Sequence, residues 1–222
     1  RAGYLEFIDI EIYATMLTQM TLFTAEGILR SLVRNNERGI CCAEDVVHNA
    51  YLRWLKTQGI VVEAAPSDLN SGWLIKEKSL YNRRAPGTTC INALQYNKES
   101  DKIRNNSKGC GGIMRVAPMA LLAAGYLVRG ERFYSIAEMD RAGAETARVT
   151  HKHPLGFLPA AMLTHLLYKL VSMSAEDVRD EFEQLALETT DALDNIYKGE
   201  FEEDKCYLAD LTRKATALAC NG

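Results

Sequence analysis

Thr18-Gln19-Met20-Thr21-Leu22-Phe23-Thr24-Ala25-Glu26-Gly27-Ile28-Leu29-Arg30-Ser31-Leu32-Val33-Arg34 is the stretch that decides the fold class. Leu22, Ala25, Leu29, Leu32 and Val33 recur at three- and four-residue spacing, while Glu26, Arg30 and Arg34 fall away from that line. This is the pattern of an amphipathic helix that offers an apolar stripe to a core and its charges to water. Gly39 predicts its end. The same period continues outward from this stretch. A second helix starts at Ala43, carries Val46, Val47, Ala50, Tyr51, Trp54 and Leu55, and stops before Gly59. Further helices are predicted at Thr88 to Leu94, Ser135 to Val149, Pro154 to Val171, Ser174 to Tyr197 and Asp204 to Ala219. Ser174 reads as an N-cap with Asp177 three positions on, and Val178, Phe182, Leu185 and Leu193 read as the buried side of that helix. Between Val61 and Arg84 the period breaks up around Pro66, Asn70, Ser71 and Gly72, which predicts a long connection. No alternating strand pattern interrupts the helices, so the expectation is an all-α, single multi-helix domain.

Composition fits that expectation. The chain has 222 residues, 47% of them apolar and 25% charged, and a chain of this size buries about 70% of its unfolded surface in one core. The 26 basic and 29 acidic residues are scattered and give a net charge of −3. No phosphate-backbone electrostatics and hence no nucleic-acid partner are expected. The six cysteines, at 41, 42, 90, 110, 206 and 220, form no Cys-x-x-Cys pair and no zinc-finger spacing, which reads as reduced thiols and a cytoplasmic location. Arg1 to Glu6 shows no basic stretch followed by an apolar run, so no signal peptide is expected. The most apolar window, Leu155 to Val171, includes His165 and Lys169 and is short for a bilayer span of about 20 residues. It reads as a buried helix, without a membrane role.

Two loops carry the chemistry. In Ser107-Lys108-Gly109-Cys110-Gly111-Gly112-Ile113-Met114-Arg115 three glycines occupy four positions and an apolar helix start follows. Such glycines let backbone amides approach a ligand and adopt positive φ, and a helix N-terminus adds its dipole, so the loop suits phosphate. It closes with no Gly-Lys-Ser/Thr and follows no strand, which separates it from the common nucleotide loops. A tight turn with glycines for packing is the competing reading. In Thr150-His151-Lys152-His153-Pro154-Leu155-Gly156 two histidines lie between two helices. Catalytic zinc needs three protein ligands, and His48 and His165 sit in no ligand spacing. Donation from one histidine to a phosphate or ribose, and a histidine capping a helix, both remain open. Cys110 would be a nucleophile only beside an activating base. Arg83 to Cys90, with Pro86-Gly87, reads as a turn leading into a helix.

Together these segments resemble the ADP-ribosylglycohydrolase family, whose members include the dinitrogenase reductase-activating glycohydrolase and the vertebrate ADP-ribosylarginine hydrolases. The resemblance is carried by Thr18 to Gly27, Ala50 to Leu55, Arg83 to Cys90, Ser107 to Pro118 and Gly143 to Pro159, in family order, and is closest to the bacterial members. It implies an all-α fold and a hydrolase that cleaves the glycosidic bond between ADP-ribose and a modified side chain, arginine first, or a related small ADP-ribose conjugate. It implies two Mg2+ or Mn2+ ions as cofactors. Ser107, Lys108, Gly109, Cys110, Gly111, Gly112, Met114 and His151 fall on the ADP-ribose contacts, Glu6 on the family glutamate that serves the metal or the reaction, and Thr15 on a metal-side position.

The pattern also departs from the family. Ser/Thr-Asp-Asp normally precedes the Thr-Gln-Met-Thr segment, and here Thr15, Met16 and Leu17 stand there. Thioether and hydrocarbon do not replace carboxylates on a hard divalent cation. The Gly-Asp-x-Asp-Ser-Thr segment of the family has no counterpart before Gly222, and most of the N-terminal glycine-rich motif has none after Arg1. Residues 1–222 are therefore read as one such domain, incomplete at both ends and before Thr18 relative to the family. The alternative is a family member that binds ADP-ribose without cleaving it, or serves structurally as the lens crystallins of the family do.

Overall fold

The computed structural model describes residues 15–62, 65–84, 87–95, 105–130 and 135–220. Among them run eight α-helices and no strand: α1 Met16–Arg38, α2 Ala43–Thr57, α3 Thr88–Gln95, α4 Ala117–Val128, α5 Ile136–Arg148, α6 Pro154–Val171, α7 Ala175–Ile196 and α8 Glu202–Cys220. The all-α architecture expected from periodicity is the one observed. Their ends follow local chemistry. Gly39 closes α1 at φ 71°, a left-handed conformation that costs glycine little, and its N–H donates to Asn35 O. Ser174 and Asp177 cap α7 reciprocally, as their spacing predicts, and Ser135 and Glu138 do the same for α5.

Two cores share the middle of the molecule. In the first, α1 and α2 pack face to face with α3 and α5, burying Met20, Phe23, Tyr51, Trp54 and Leu94. In the second, α6 lies against α4, α5, α7 and α8 around Phe157, Leu158, Leu193 and Tyr197. The rings of Phe157, Tyr197 and Phe201 meet edge to face with centroids 5.4–6.0 Å apart, a favoured geometry for aromatic quadrupoles. α6 has the length and apolarity of a short membrane span, yet Phe157, Leu158, Ala160, Ala161, Thr164 and His165 are buried against other helices. His165 Nδ1 lies 2.8 Å from Asp140 Oδ2 and joins α6 to α5 in the interior.

The face of α1 differs from its expectation. Leu22, Leu29 and Val33 are exposed, and the helix buries Gln19, Met20, Phe23, Thr24, Glu26, Gly27, Ile28 and Ser31. The reason is the closeness of α2. A Cβ on Gly27 would stand 2.9 Å from Val47 Cα, so only a small, partly polar side of α1 fits that interface. Three of the buried polar groups there have tertiary partners, and Ser31 Oγ donates within the helix to Ile28 O. Glu26 Oε1 accepts from Arg53 Nε at 3.0 Å, Gln19 Oε1 accepts from Trp54 Nε1 at 3.1 Å, and the Thr24 and Tyr51 hydroxyls meet at 2.6 Å. On α7, Leu185 and Leu193 are buried as expected, whereas Phe182 is exposed.

The long connection after α2 is anchored through the same polar groups. Leu74 N donates to Glu26 Oε2, and Gln19 Nε2 donates to Asn82 O, both at 3.0 Å. Gly72 sits at φ +108°, and a Cβ there would lie 2.3 Å from Glu26 Oε1. The chain can pass over the Glu26 carboxylate only with glycine at that point.

Candidate functional site

The glycine loop is stitched to the turn between α5 and α6. Asn105 Nδ2 donates to Thr150 O at 2.9 Å, and Asn105 Oδ1 accepts from the backbone of Lys152 at 3.1 Å and of Ser107 at 3.3 Å. Ser107 Oγ in turn accepts from Gly109 N at 3.2 Å. These bonds lay residues 105–112 over His151. A Cβ on Gly109 would stand 3.4 Å from His151 Nε2, one on Gly111 3.2 Å from Cε1, and one on Gly112 3.3 Å from Nδ1. Across the ring, a Cβ on Gly156 would lie 2.4 Å from Ser107 O.

The expectation of positive φ in this loop fails: none of Gly109, Gly111 and Gly112 adopts it. Their requirement is space, because the backbone closes directly on an imidazole and on Ala147. The expected helix dipole is also displaced. A three-residue 3-10 turn, Ile113–Arg115, follows the glycines, and α4 starts only at Ala117 behind the buried Val116.

Arg115, which the sequence reading left without a role, organises the centre. Its side chain is fully buried. Nη2 donates to Thr146 O at 3.0 Å, Ala147 O at 3.5 Å and Thr150 Oγ1 at 2.7 Å, which satisfies the last carbonyls of α5. The negative end of a helix dipole stabilises a cation placed there, and the Tyr51 ring lies 4.4 Å below the guanidinium. The signal available in sequence was a single charge inside the apolar run from Ile113 to Pro118.

His151 and Thr150 complete a relay. Thr150 Oγ1 accepts from Arg115, so its own hydrogen is free for His151 Nδ1 at 2.9 Å. With Thr150 as the donor, the ring hydrogen lies on Nε2, on the side facing Gly109. Burial, followed by the nearby Arg115 charge, pushes the His151 pKa down to about 4. The ring is neutral at ordinary pH and can donate from Nε2. It is not placed to be a cation. His153 takes the other reading: its Nδ1 caps α6 by accepting from Leu155 N at 3.0 Å.

The remaining expected site residues divide in the same way. Lys108, Gly109, Cys110 and Met114 are exposed on the rim of the loop, Ser107 and Gly111 are half-buried, and Gly112 is buried. The sulfur beside the relay belongs to Cys90, whose Sγ lies 4.0 Å from Thr150 Oγ1 and 3.8 Å from Arg115 Nη1. The N-terminus of α1 reaches the loop where Thr21 Oγ1 approaches Met114 O at 3.5 Å.

The described start of that helix, Thr15 to Leu17, offers no carboxylate to a divalent cation. Thr15 is the N-cap of α1, with Oγ1 accepting from Thr18 N at 3.4 Å, and Met16 packs on the first core, 3.2 Å from where a Gly87 Cβ would stand. Among the described residues no group of three His, Cys, Asp or Glu side chains could hold a metal ion. Glu6 lies outside the described residues.

A family model described as ADP-ribosylglycohydrolase matches residues 5–219. Comparison with curated proteins gave no match, and comparison with solved structures gave none either.

Proposed function

Because the chain belongs to the ADP-ribosylglycohydrolase family, we propose that it takes the ADP-ribosyl group of a modified side chain on the loop 107–114 and releases it by hydrolysis, arginine being the first linkage to examine. One observation supports the ligand role: the glycine backbone closes on a neutral His151 whose Nδ1 is bonded to Thr150, itself held by Arg115. In this reading the loop amides not already bonded within it, Cys110 to Gly112 among them, and the Lys108 ammonium meet the diphosphate, and His151 Nε2–H donates to the ligand. Met114 borders the same rim. The amides and the imidazole, held on a preformed frame, bind an anion without the reorganisation cost that a mobile side chain such as Lys108 carries.

The hydrolytic half rests on family membership. Glycosidic cleavage passes through an oxocarbenium-like state that needs a carboxylate or an activated water, and the family resemblance assigns Glu6 to that part, with Mg2+ or Mn2+ as cofactor. One observation favours a second reading, a non-cleaving ADP-ribose binder: Met16 and Leu17 leave the start of α1 without an anionic oxygen.

The test pairs two measurements. Release of ADP-ribose from ADP-ribosylated arginine, with Mg2+ or Mn2+ and then with chelator, supports the hydrolase. Calorimetric binding of ADP-ribose without release supports the binder. Absence of both leaves the loop a packing element.

A further inference from the structure

The apolar stripe that α1 leaves uncovered is one wall of a groove. Leu22 (41% exposed), Leu29 (44%) and Val33 (55%) run along it, and Leu121 of α4 (54%) forms part of the opposite wall. Two hollows share Leu29. One, of about 380 Å3, lies between α1 and α4 from Thr21 to Leu29; the other, of about 450 Å3, continues past Val33 to Arg38 beside the half-exposed Trp73. The track is roughly 25 Å long, at the helical rise of about 1.5 Å per residue. It starts at Thr21, whose hydroxyl approaches Met114 O of the glycine loop. An exposed apolar surface of this length with a charged end is the usual form of a peptide-docking groove.

The charges select the occupant. Arg30 is held by Asp68 and Ser71. Arg34 and Arg38, one helical turn apart, pair with no carboxylate among the described residues, and Glu37 beside them leaves the rim net basic. A second copy docking through this same face complements the rim poorly, because α4 carries no charged residue and the only exposed carboxylate of α1 is Glu37. The geometry points to an acidic amphipathic segment of the modified protein as the occupant, its apolar side chains on Leu22, Leu29 and Leu121, and its carboxylates on Arg34 and Arg38. This rests on the ADP-ribose reading of the loop, since the groove would lead the modified segment to it. Complementary charge of this kind sets register and partner choice.

The experiment uses the full chain and two fluorescein-labelled peptides, each of roughly 17 residues to match the track as one helix, built from paired leucines with either glutamates or lysines between them. Anisotropy titration should show the glutamate peptide bound and the lysine peptide bound more weakly. The variant R34E/R38E should lose roughly tenfold for the glutamate peptide and reverse the preference. L29E should weaken both peptides while circular dichroism stays that of the wild type. ADP-ribose affinity by calorimetry should be the same in all three proteins. Equal binding of the two peptides by the wild type, or an unchanged preference in R34E/R38E, overturns the proposal. So does a wild-type dimer in sedimentation that L29E converts to monomer, because the groove would then hold a second copy. Failure of the wild type to bind ADP-ribose, with peptide selectivity intact, overturns the function reading of the loop and leaves the docking surface standing.

Discussion

Glu26 and Arg53 face each other 3.0 Å apart with neither side chain exposed. The pair bridges α1 and α2, and the second Glu26 oxygen holds the connection at Leu74 N. Arg53 Nη2 already lacks a partner, so the network has no spare acceptor. Replacing Glu26 by Gln should destabilise the protein by roughly 3 kcal/mol, because the buried guanidinium loses its nearer carboxylate and keeps only the half-exposed Asp68, 3.5 Å from Nη1. Urea unfolding measures this, and the double variant E26L/R53M should cost less than the sum of its single changes. Additive losses would show that the two residues do not act as a pair.

Gly111 has 3.2 Å between its would-be Cβ and His151 Cε1. Gly111→Val should push the ring and the loop apart and weaken ADP-ribose binding at least roughly tenfold, at an overpacking cost of about 1–3 kcal/mol that leaves the chain folded. Calorimetry reads the affinity. Unchanged binding would remove the loop from the ligand site.

Stability should carry the signature of a histidine buried neutral. The ordinary imidazole value is 6.5 and the folded value is about 4, so between these pH values the unfolded chain binds the extra proton. The contribution is complete above pH 6.5 and is lost as pH falls toward 4, about 3 kcal/mol at most. Urea unfolding across that window should be steeper with pH in the wild type than in His151→Gln. Equal slopes would mean that the ring is not held neutral by burial.

Arg115→Met should act on the relay. Its removal takes the side-chain donor from the Thr146 carbonyl and the Thr150 hydroxyl, at a cost of about 1–3 kcal/mol, while Ala147 O keeps the N–H groups of Thr150 and His151. It also removes one of the two causes that lower the His151 pKa, so the ring should titrate at a higher pH in an NMR titration than in the wild type. No movement would break the link between the two residues.

Met16→Asp together with Leu17→Asp should destabilise the metal-free protein, because Met16 packs on the first core. The same variant should gain a Mg2+-dependent rise in melting temperature relative to the wild type, since paired carboxylates at the start of α1 supply hard oxygen ligands. An equal response from both proteins would place the cation elsewhere.

The helices and many of their ends were legible from local chemistry. Gly39, the Ser174–Asp177 cap and the break at Pro66 to Gly72 each act within a few residues of the backbone they shape. The sequence also marked the loop and its histidines as the place to look. What it misplaced was the direction of things. A lone-helix reading turns Glu26 outward because burying a charge is costly, and nothing near Glu26 in the chain shows that Arg53, 27 positions on, compensates it.

The site shows the same division. Three glycines in four positions are readable as an opening for backbone, and two histidines before Pro154 as available imidazoles. Only the packed structure decides that the glycines make room for His151, that His153 caps α6, and that Arg115 holds Thr150 against His151. Sequence by itself determined helix identity and termini, which depend on neighbours three or four residues away. Tertiary structure decided which helix faces are covered and what each loop residue does, because burial and charge compensation depend on partners brought together from distant parts of the chain.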